Sequence, residues 1–318
     1  MDKKKIYQMF ILGTGNLDEA LKNGLGGVIF FSKDIDTEEH LRHLEDDILA
    51  KDLIYPFLSI DEEGGRVERT EYIHPKRLSA KFAYEKGEEY LKWQTKDIAQ
   101  ELKDLNLNLN FAPCADVNTN PDNPIIGERA FSNNPEEVIN GVKIVSDIYK
   151  EYGIIPCIKH YPGHGDANAD SHKTLPDITL SMRDMEQYHI KPFKAAIENG
   201  IDMIMAAHLH CTCFDKEITP SSLSHNALGY LRNQLNFTGV IISDDMEMKG
   251  IQLDAGEACV KGILAGLNMF IYREANDKSL SAIETVIKEA EKNEDLREKI
   301  EDSYSKILDL KRKYNIIK

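Results

Sequence analysis

The sequence predicts an α/β protein built as a closed (β/α)8 barrel, on three observations. Short apolar runs alternate from end to end with charged stretches of helical period, and the runs number eight. Strands that alternate with helices form a parallel sheet covered by those helices. Polar and charged residues recur at the C-terminal ends of the runs, where a barrel carries its functional loops. An open doubly wound sheet shows the same alternation. The glycine-rich phosphate loop expected after its first strand is missing, since Gly13-Thr14-Gly15 has no third glycine.

The predicted strands, in order, are Gln8–Leu12, Gly26–Phe31, Pro56–Ile60, Leu109–Ala115, Ile154–Ile158, Asp202–Ala207, Gly239–Ser243 and Asn268–Tyr272. Each is a short apolar run suited to a strand buried on both faces. The amphipathic stretches between them include Thr37–Lys51, Lys86–Leu105, Pro135–Tyr152 and Ser181–Asn199. From Ser279 on the chain is charged and helical in pattern, with Lys288, Glu289, Glu291 and Lys292 on the solvated side. These stretches read as helices that close the barrel, so residues 1–318 are expected to form one barrel domain, without linker or repeat.

Hydrophobic residues make up 42% of the chain and the net charge is −15. That balance argues against nucleic-acid and acidic-membrane partners, which need clustered positive charge. The apolar run Ile6–Leu12 is too short, and too soon ended by Gly13-Thr14-Gly15, for a secretion signal. No run approaches the roughly 20 apolar residues of a membrane helix. Five cysteines are an odd number for a disulfide framework. Cys114 and Cys157 fall in predicted buried strands, and Cys211-Thr212-Cys213 reads as inert. A reducing, cytoplasmic location is expected.

The rim holds the chemistry. Asp61 ends the third strand, Asp116 the fourth, Lys159 and His160 the fifth, His208 and His210 the sixth, and Asp244 and Asp245 the seventh. Charges abutting buried aliphatic runs cost free energy unless partners compensate, so several on one rim imply a polar pocket. The densest segment is Lys159-His160-Tyr161-Pro162-Gly163-His164-Gly165-Asp166, closing at Asp170-Ser171-His172. Its glycines allow a tight fold-back. Taken alone it admits three readings: Asp170 and His172 as an acid/base pair, His160, His164, Asp166 and His172 as metal ligands, or histidines that hydrogen-bond the loop together.

A pocket of Asp, Lys, Arg and His without a phosphate loop suits a polyhydroxylated ligand, because each hydroxyl both donates and accepts. Cleavage of a sugar acetal needs a nucleophile or base on one face of the ring and a proton donor at the leaving oxygen. Asp244, ionised near neutral pH, suits the first role, and His172 the second.

Four motifs in order resemble glycoside hydrolase family 3, of the bacterial β-N-acetylglucosaminidase type. They are Asp61-Glu62-Glu63-Gly64-Gly65-Arg66-Val67, Asp116-Val117-Asn118 through Asn123-Pro124-Ile125-Ile126-Gly127-Glu128-Arg129-Ala130-Phe131, the Lys159–His172 segment, and Ser243-Asp244-Asp245-Met246-Glu247-Met248-Lys249-Gly250. The resemblance implies a (β/α)8 barrel and a retaining mechanism, with Asp244 as nucleophile and His172 as acid/base partnered by Asp170. It carries the sugar contacts to Asp61, Arg69, Arg129, Lys159 and His160. It also implies a cytoplasmic enzyme of cell-wall recycling that removes N-acetylglucosamine from glycosides such as muropeptides, with no cofactor or metal. The glycine loop is expected to move so that His172 reaches the substrate, and His164 and Asp166 to shape that loop.

Two other reactions fit the same residues. A neutral imidazole does not repel phosphate as a carboxylate would, so a β-N-acetylglucosaminide phosphorylase is the near alternative. A metal-dependent barrel hydrolase using His160, His164, His172, His208 and His210 is the distant one, disfavoured by the cations Lys159 and Arg129 beside the would-be metal.

Overall fold

A computed structural model describes residues 2–168 and 175–318. Eight parallel strands close into a barrel in chain order: Phe10–Gly13, Gly27–Phe30, Phe57–Ile60, Leu109–Asn110, Ile155–Tyr161, Met203–Ala206, Val240–Asp245 and Met269–Tyr272. The first strand closes the ring by pairing with the eighth, Phe10 opposite Phe270, and with the second, Ile11 opposite Gly27. The main outer helices include Glu38–Leu49, Glu88–Asp104, Pro135–Tyr152, Lys191–Glu198, His225–Asn233, Ala255–Ala265 and Asp277–Ala290. Their apolar faces join the strands in one large core cluster. The C-terminal helix Glu294–Lys313 packs against the helices Ala255–Ala265 and Asp277–Ala290.

The helix Pro135–Tyr152 has the bounds its sequence predicts, because both ends are signalled. Asn134 accepts from the N–H of Glu136 at 3.0 Å, Pro135 occupies the first turn, and Gly153 ends the helix at φ +80°. Two other elements differ from expectation. The fourth strand pairs only over Leu109–Asn110, followed by a single bridge at Cys114, since Pro113 has no N–H to give the ladder. The stretch predicted as one helix over Ser181–Asn199 is instead the turn Met182–Asp184, a π-helical turn Met185–His189 and the helix Lys191–Glu198. Pro192 removes the N–H that a continuous helix needs there. A two-stranded parallel sheet, Asp177–Ile178 with His210–Cys211, lies outside the barrel and was not expected from the sequence. No described helix is long and apolar enough to cross a membrane.

Under the barrel, Lys311 from the last helix is fully buried. Its Nζ donates to Gln8 Oε1 at 2.8 Å and to the Tyr55 carbonyl at 2.9 Å, and lies 4.8 Å from the centre of the Phe57 ring. Burial pushes its pKa down from the ordinary 10.5 to about 7. Between those two values the unfolded chain holds a proton that the folded protein lacks, so folding becomes more favourable as pH rises through that window. Replacing Lys311 with Met is expected to remove this term. From pH 7 to pH 9, wild-type stability should gain about 2 kcal/mol relative to Lys311→Met. Urea unfolding of both proteins at the two pH values measures it, and parallel pH profiles would contradict it.

Candidate active site

Long loops following the third, fourth and fifth strands build the wall of a cavity of about 460 Å³ at the C-terminal mouth of the barrel. Part of its lining is apolar: Ile29, Met205 and Ile271 come from the second, sixth and eighth strands. Asp61, Arg69, Arg129, Lys159, His160 and Asp244, six of the residues selected from the sequence, line the same cavity. Asp170 and His172 lie outside the described residues.

An ion network fixes one wall. Lys159 Nζ sits 2.7 Å from Asp61 Oδ1 and 2.6 Å from Glu63 Oε1. Arg129 grips Glu63 with two parallel bonds, Nε to Oε2 at 2.9 Å and Nη2 to Oε1 at 2.8 Å. The side chains of Lys159 and Glu63 are only 3% and 4% exposed, so water screens little of this attraction. Burial alone would raise the Glu63 carboxyl, but the adjoining Arg129 and Lys159 hold it well below the usual range. Burial likewise works against the charge of Lys159, and Asp61 and Glu63 outweigh it and raise its pKa. Arg69 stands 3.8 Å from Asp61 and stacks 5.7 Å over the Phe31 ring. Its backbone N–H is bound at 2.7 Å by Glu62, a carboxyl that burial raises to about 8.

Hydrogen bonds also determine the tautomer of His160. Arg129 has only donors, and its Nη2 lies 3.2 Å from His160 Nε2, so that nitrogen accepts. The imidazole proton is therefore on Nδ1, which donates to Asp116 Oδ2 at 2.7 Å. Asp116 also accepts from the His164 N–H at 2.6 Å and from the Cys114 thiol at 3.2 Å. Burial would raise the Asp116 carboxyl, yet the bonds from the His160 ring and the His164 N–H hold it well below the usual range. Burial pushes the His164 imidazole down to about 4, so it is neutral at neutral pH.

The same bonds bear on the metal reading. Cys114, Asp116 and His160 bring ligand-type atoms within 4.8 Å of one another. A cation on Nδ1 would force the proton onto Nε2, directly against the Arg129 guanidinium. The donor set therefore fits a proton better than a metal ion. His208 and His210 do not join this cluster. They bond to Ser222 and the Asp245 carbonyl, and to Thr219, respectively.

Asp244 reaches the cavity at the end of the seventh strand. Its Oδ1 accepts the Asp245 N–H at 2.7 Å. Burial opposes its charge, but its neighbours, that N–H and Lys159 among them, hold its pKa below the ordinary 3.8. The side chain is thus an ionised carboxylate at the edge of an apolar floor. Asp245 is clasped from the other side by Arg273, whose Nε lies 2.5 Å from Oδ2.

The glycines of the fifth loop sit where other parts of the chain approach closely. Gly163 has φ +126°, and a Cβ there would lie 2.6 Å from the Cβ of His189. A Cβ on Gly165 would lie 1.8 Å from the Val117 carbonyl oxygen. Both glycines permit close packing of the loop. Asp166 shapes the loop, as expected, by accepting from Thr119 at 2.9 Å.

Sequence reasoning missed Glu63 as the central counter-ion, although it stands two residues from Asp61. It also missed Lys33, Arg273 and Glu274, which line the cavity mouth from the loops after the second and eighth strands. No spacing signal marks those three.

The chain matches the sequence profile described as glycosyl hydrolase family 3 N terminal domain over residues 2–310. Beta-hexosaminidase A of Pseudoalteromonas piscicida is 30% identical over 270 residues, which cover 77% of this chain and 45% of that protein. Beta-hexosaminidase of Photobacterium profundum is 32% identical over 269 residues, covering 82% and 78% respectively. The solved structure of a glycoside hydrolase family 3 β-N-acetylglucosaminidase from a Paenibacillus species superposes with a TM-score of 0.90 at 28% identity, covering 99% of this chain and 63% of that one. The chain therefore spans less than half the length of the first relative and somewhat under two thirds of the solved one.

Proposed function

Because the chain belongs to glycosyl hydrolase family 3, we propose that it is a retaining exo-β-N-acetylglucosaminidase acting through a covalent glycosyl-aspartate. The observation that carries this reading is the convergence of an ionised Asp244 with Asp61, Arg69, Arg129, Lys159 and His160 around one cavity of about 460 Å³. That volume lies within the roughly 300–1,000 Å³ of small-molecule sites. Asp61, Lys159 and the two arginines offer both acceptors and donors to sugar hydroxyls. Asp244 attacks the anomeric carbon and the aglycone leaves with a proton. Water then replaces the aspartate, and the sugar departs with its original configuration.

The proton donor in this reading is His172, oriented by Asp170, both assigned by motif resemblance. The carboxyls around the cavity support the choice of an imidazole. Glu63 and Asp116 are held ionised, Asp61 is bound by Lys159, Asp245 by Arg273, and Glu274 by Lys33. A general acid must carry a proton near the working pH, and the charges beside Glu63 and Asp116 oppose that there, while Glu62, raised to about 8, does not line the cavity. The substrates proposed are glycosides ending in β-linked N-acetylglucosamine, peptidoglycan-derived fragments among them. Five free cysteines suit the reducing cytoplasm proposed for the reaction.

The test is hydrolysis of 4-nitrophenyl N-acetyl-β-glucosaminide beside the matching glucoside and xyloside, with the first-formed anomer followed by proton NMR. The reading expects strong preference for the first substrate and an initial β product. An α product, or equal rates on all three, would overturn it. A sugar phosphate formed only when inorganic phosphate is added would replace hydrolysis with phosphorolysis.

A further inference from the structure

His208 marks the end of the sixth strand and takes no part in the mechanism above. It is completely buried, next to a catalytic cavity it does not line. Its Nε2 lies 3.1 Å from the Asp245 carbonyl oxygen, which only accepts, so Nε2 carries the proton. Its Nδ1 is then an acceptor, and the Ser222 hydroxyl donates to it at 2.7 Å. Burial pushes the imidazole pKa down, in keeping with this neutral form.

The residue that His208 grips by its carbonyl, Asp245, is the one whose N–H, in the preceding peptide unit, meets the proposed nucleophile. The Asp245 N–H binds Asp244 Oδ1 at 2.7 Å, and the Asp245 carbonyl also accepts from the Met248 N–H at 3.0 Å. The Asp245 carboxylate is tied to the Glu247 N–H at 3.0 Å and to Arg273. Asp245 is therefore fixed at its carbonyl and its carboxylate, leaving its N–H aimed at Asp244. The turn after the seventh strand wraps back over the histidine, since a Cβ on Gly250 would lie 3.1 Å from the Cβ of His208.

We propose that His208, held by Ser222, is a positioning residue that sets the orientation of the Asp244 carboxylate through the backbone of Asp245. The inference rests on Asp244 as nucleophile. An attacking oxygen must meet the anomeric carbon in line with the leaving bond, and a misplacement of about 1 Å costs on the order of 100-fold in rate. The sugar contacts lie on other strands and are untouched by this grip.

The test compares His208→Met, which keeps the bulk and loses the donor, with His208→Gln, whose side-chain amide can still donate to the Asp245 carbonyl. Both are assayed on 4-nitrophenyl N-acetyl-β-glucosaminide, with thermal melting as the check on folding. His208→Met is expected to lose about 10- to 100-fold in kcat with KM changed less than about 3-fold, and His208→Gln to recover most of that loss. Ser222→Ala, a smaller change at the second layer, is expected to lower kcat by about 3- to 10-fold and stands in if the histidine variants do not fold. A His208→Met enzyme with wild-type kcat, a His208→Gln enzyme as slow as His208→Met, or a Ser222→Ala enzyme with wild-type kcat where it is the variant in use, would overturn the proposal. Turnover by Asp244→Asn would instead overturn the nucleophile assignment beneath it.

Discussion

Asp244→Asn is expected to lower kcat by on the order of 10⁴-fold or more while leaving the fold intact. An amide cannot form the glycosyl-enzyme, yet its oxygen can still accept the Asp245 N–H that Asp244 accepts now. The substitution is isosteric, so packing is preserved and the thermal midpoint should move by only a few degrees. The kcat on an activated aryl N-acetylglucosaminide is the measurement, and turnover near the wild-type rate would eliminate Asp244 as nucleophile. The pKa of Asp244 adds a second constraint. Its carboxyl is held below the ordinary 3.8, so it stays ionised as pH falls through 5. Any loss of kcat/KM between pH 5 and 7 must therefore come from another group.

Lys159→Met is expected to reduce kcat/KM by on the order of 100-fold and to destabilise the protein by about 3 kcal/mol, the low end for breaking a buried ion pair. The low end applies because Glu63 keeps its bidentate bond to Arg129 when the lysine is removed. Asp61 loses its 2.7 Å partner and keeps the longer approach of Arg69. Urea unfolding reports the stability change, and kinetics on the same aryl glycoside report the activity. A variant that loses stability but keeps wild-type kcat/KM would show that Lys159 serves the wall alone and not the sugar.

The barrel was legible because its strands are apolar on both faces and its helices on one, so period and length separate them. All eight predicted strands exist, and all but the fourth lie within three residues of the expected bounds. The misses have local causes. Pro113 cuts short the fourth ladder, and Pro192 breaks the long helix whose period ran unbroken across it. The two-residue pairing of Asp177–Ile178 with His210–Cys211 depends on where two loops meet, which no local pattern records.

The site was legible where function sits on a strand end or in a motif. Asp61, Lys159, His160 and Asp244 each stand at or beside such an end, and Arg69 and Arg129 follow from motif position. What the sequence does not encode locally is which charge answers which. Glu63 and Glu62 are adjacent and chemically identical, and burial raises both, yet their partners leave them shifted in opposite directions. Glu63 meets Arg129 and Lys159, whereas Glu62 meets backbone N–H groups and the charges of Glu101 and Glu68. The same holds for His160 and His208. Arg129 leaves the proton of one on Nδ1, and the Asp245 carbonyl draws a proton of the other to Nε2.

Closure of the ring joins Phe10 to Phe270, and Lys311 reaches Gln8 across almost the whole chain. During synthesis the first strand must therefore wait, with one edge unpaired, until most of the polypeptide has emerged. Such an edge is a template for pairing with other chains. The long wait predicts a slow, late final step in folding and a nascent chain that benefits from being sheltered until its last helix arrives.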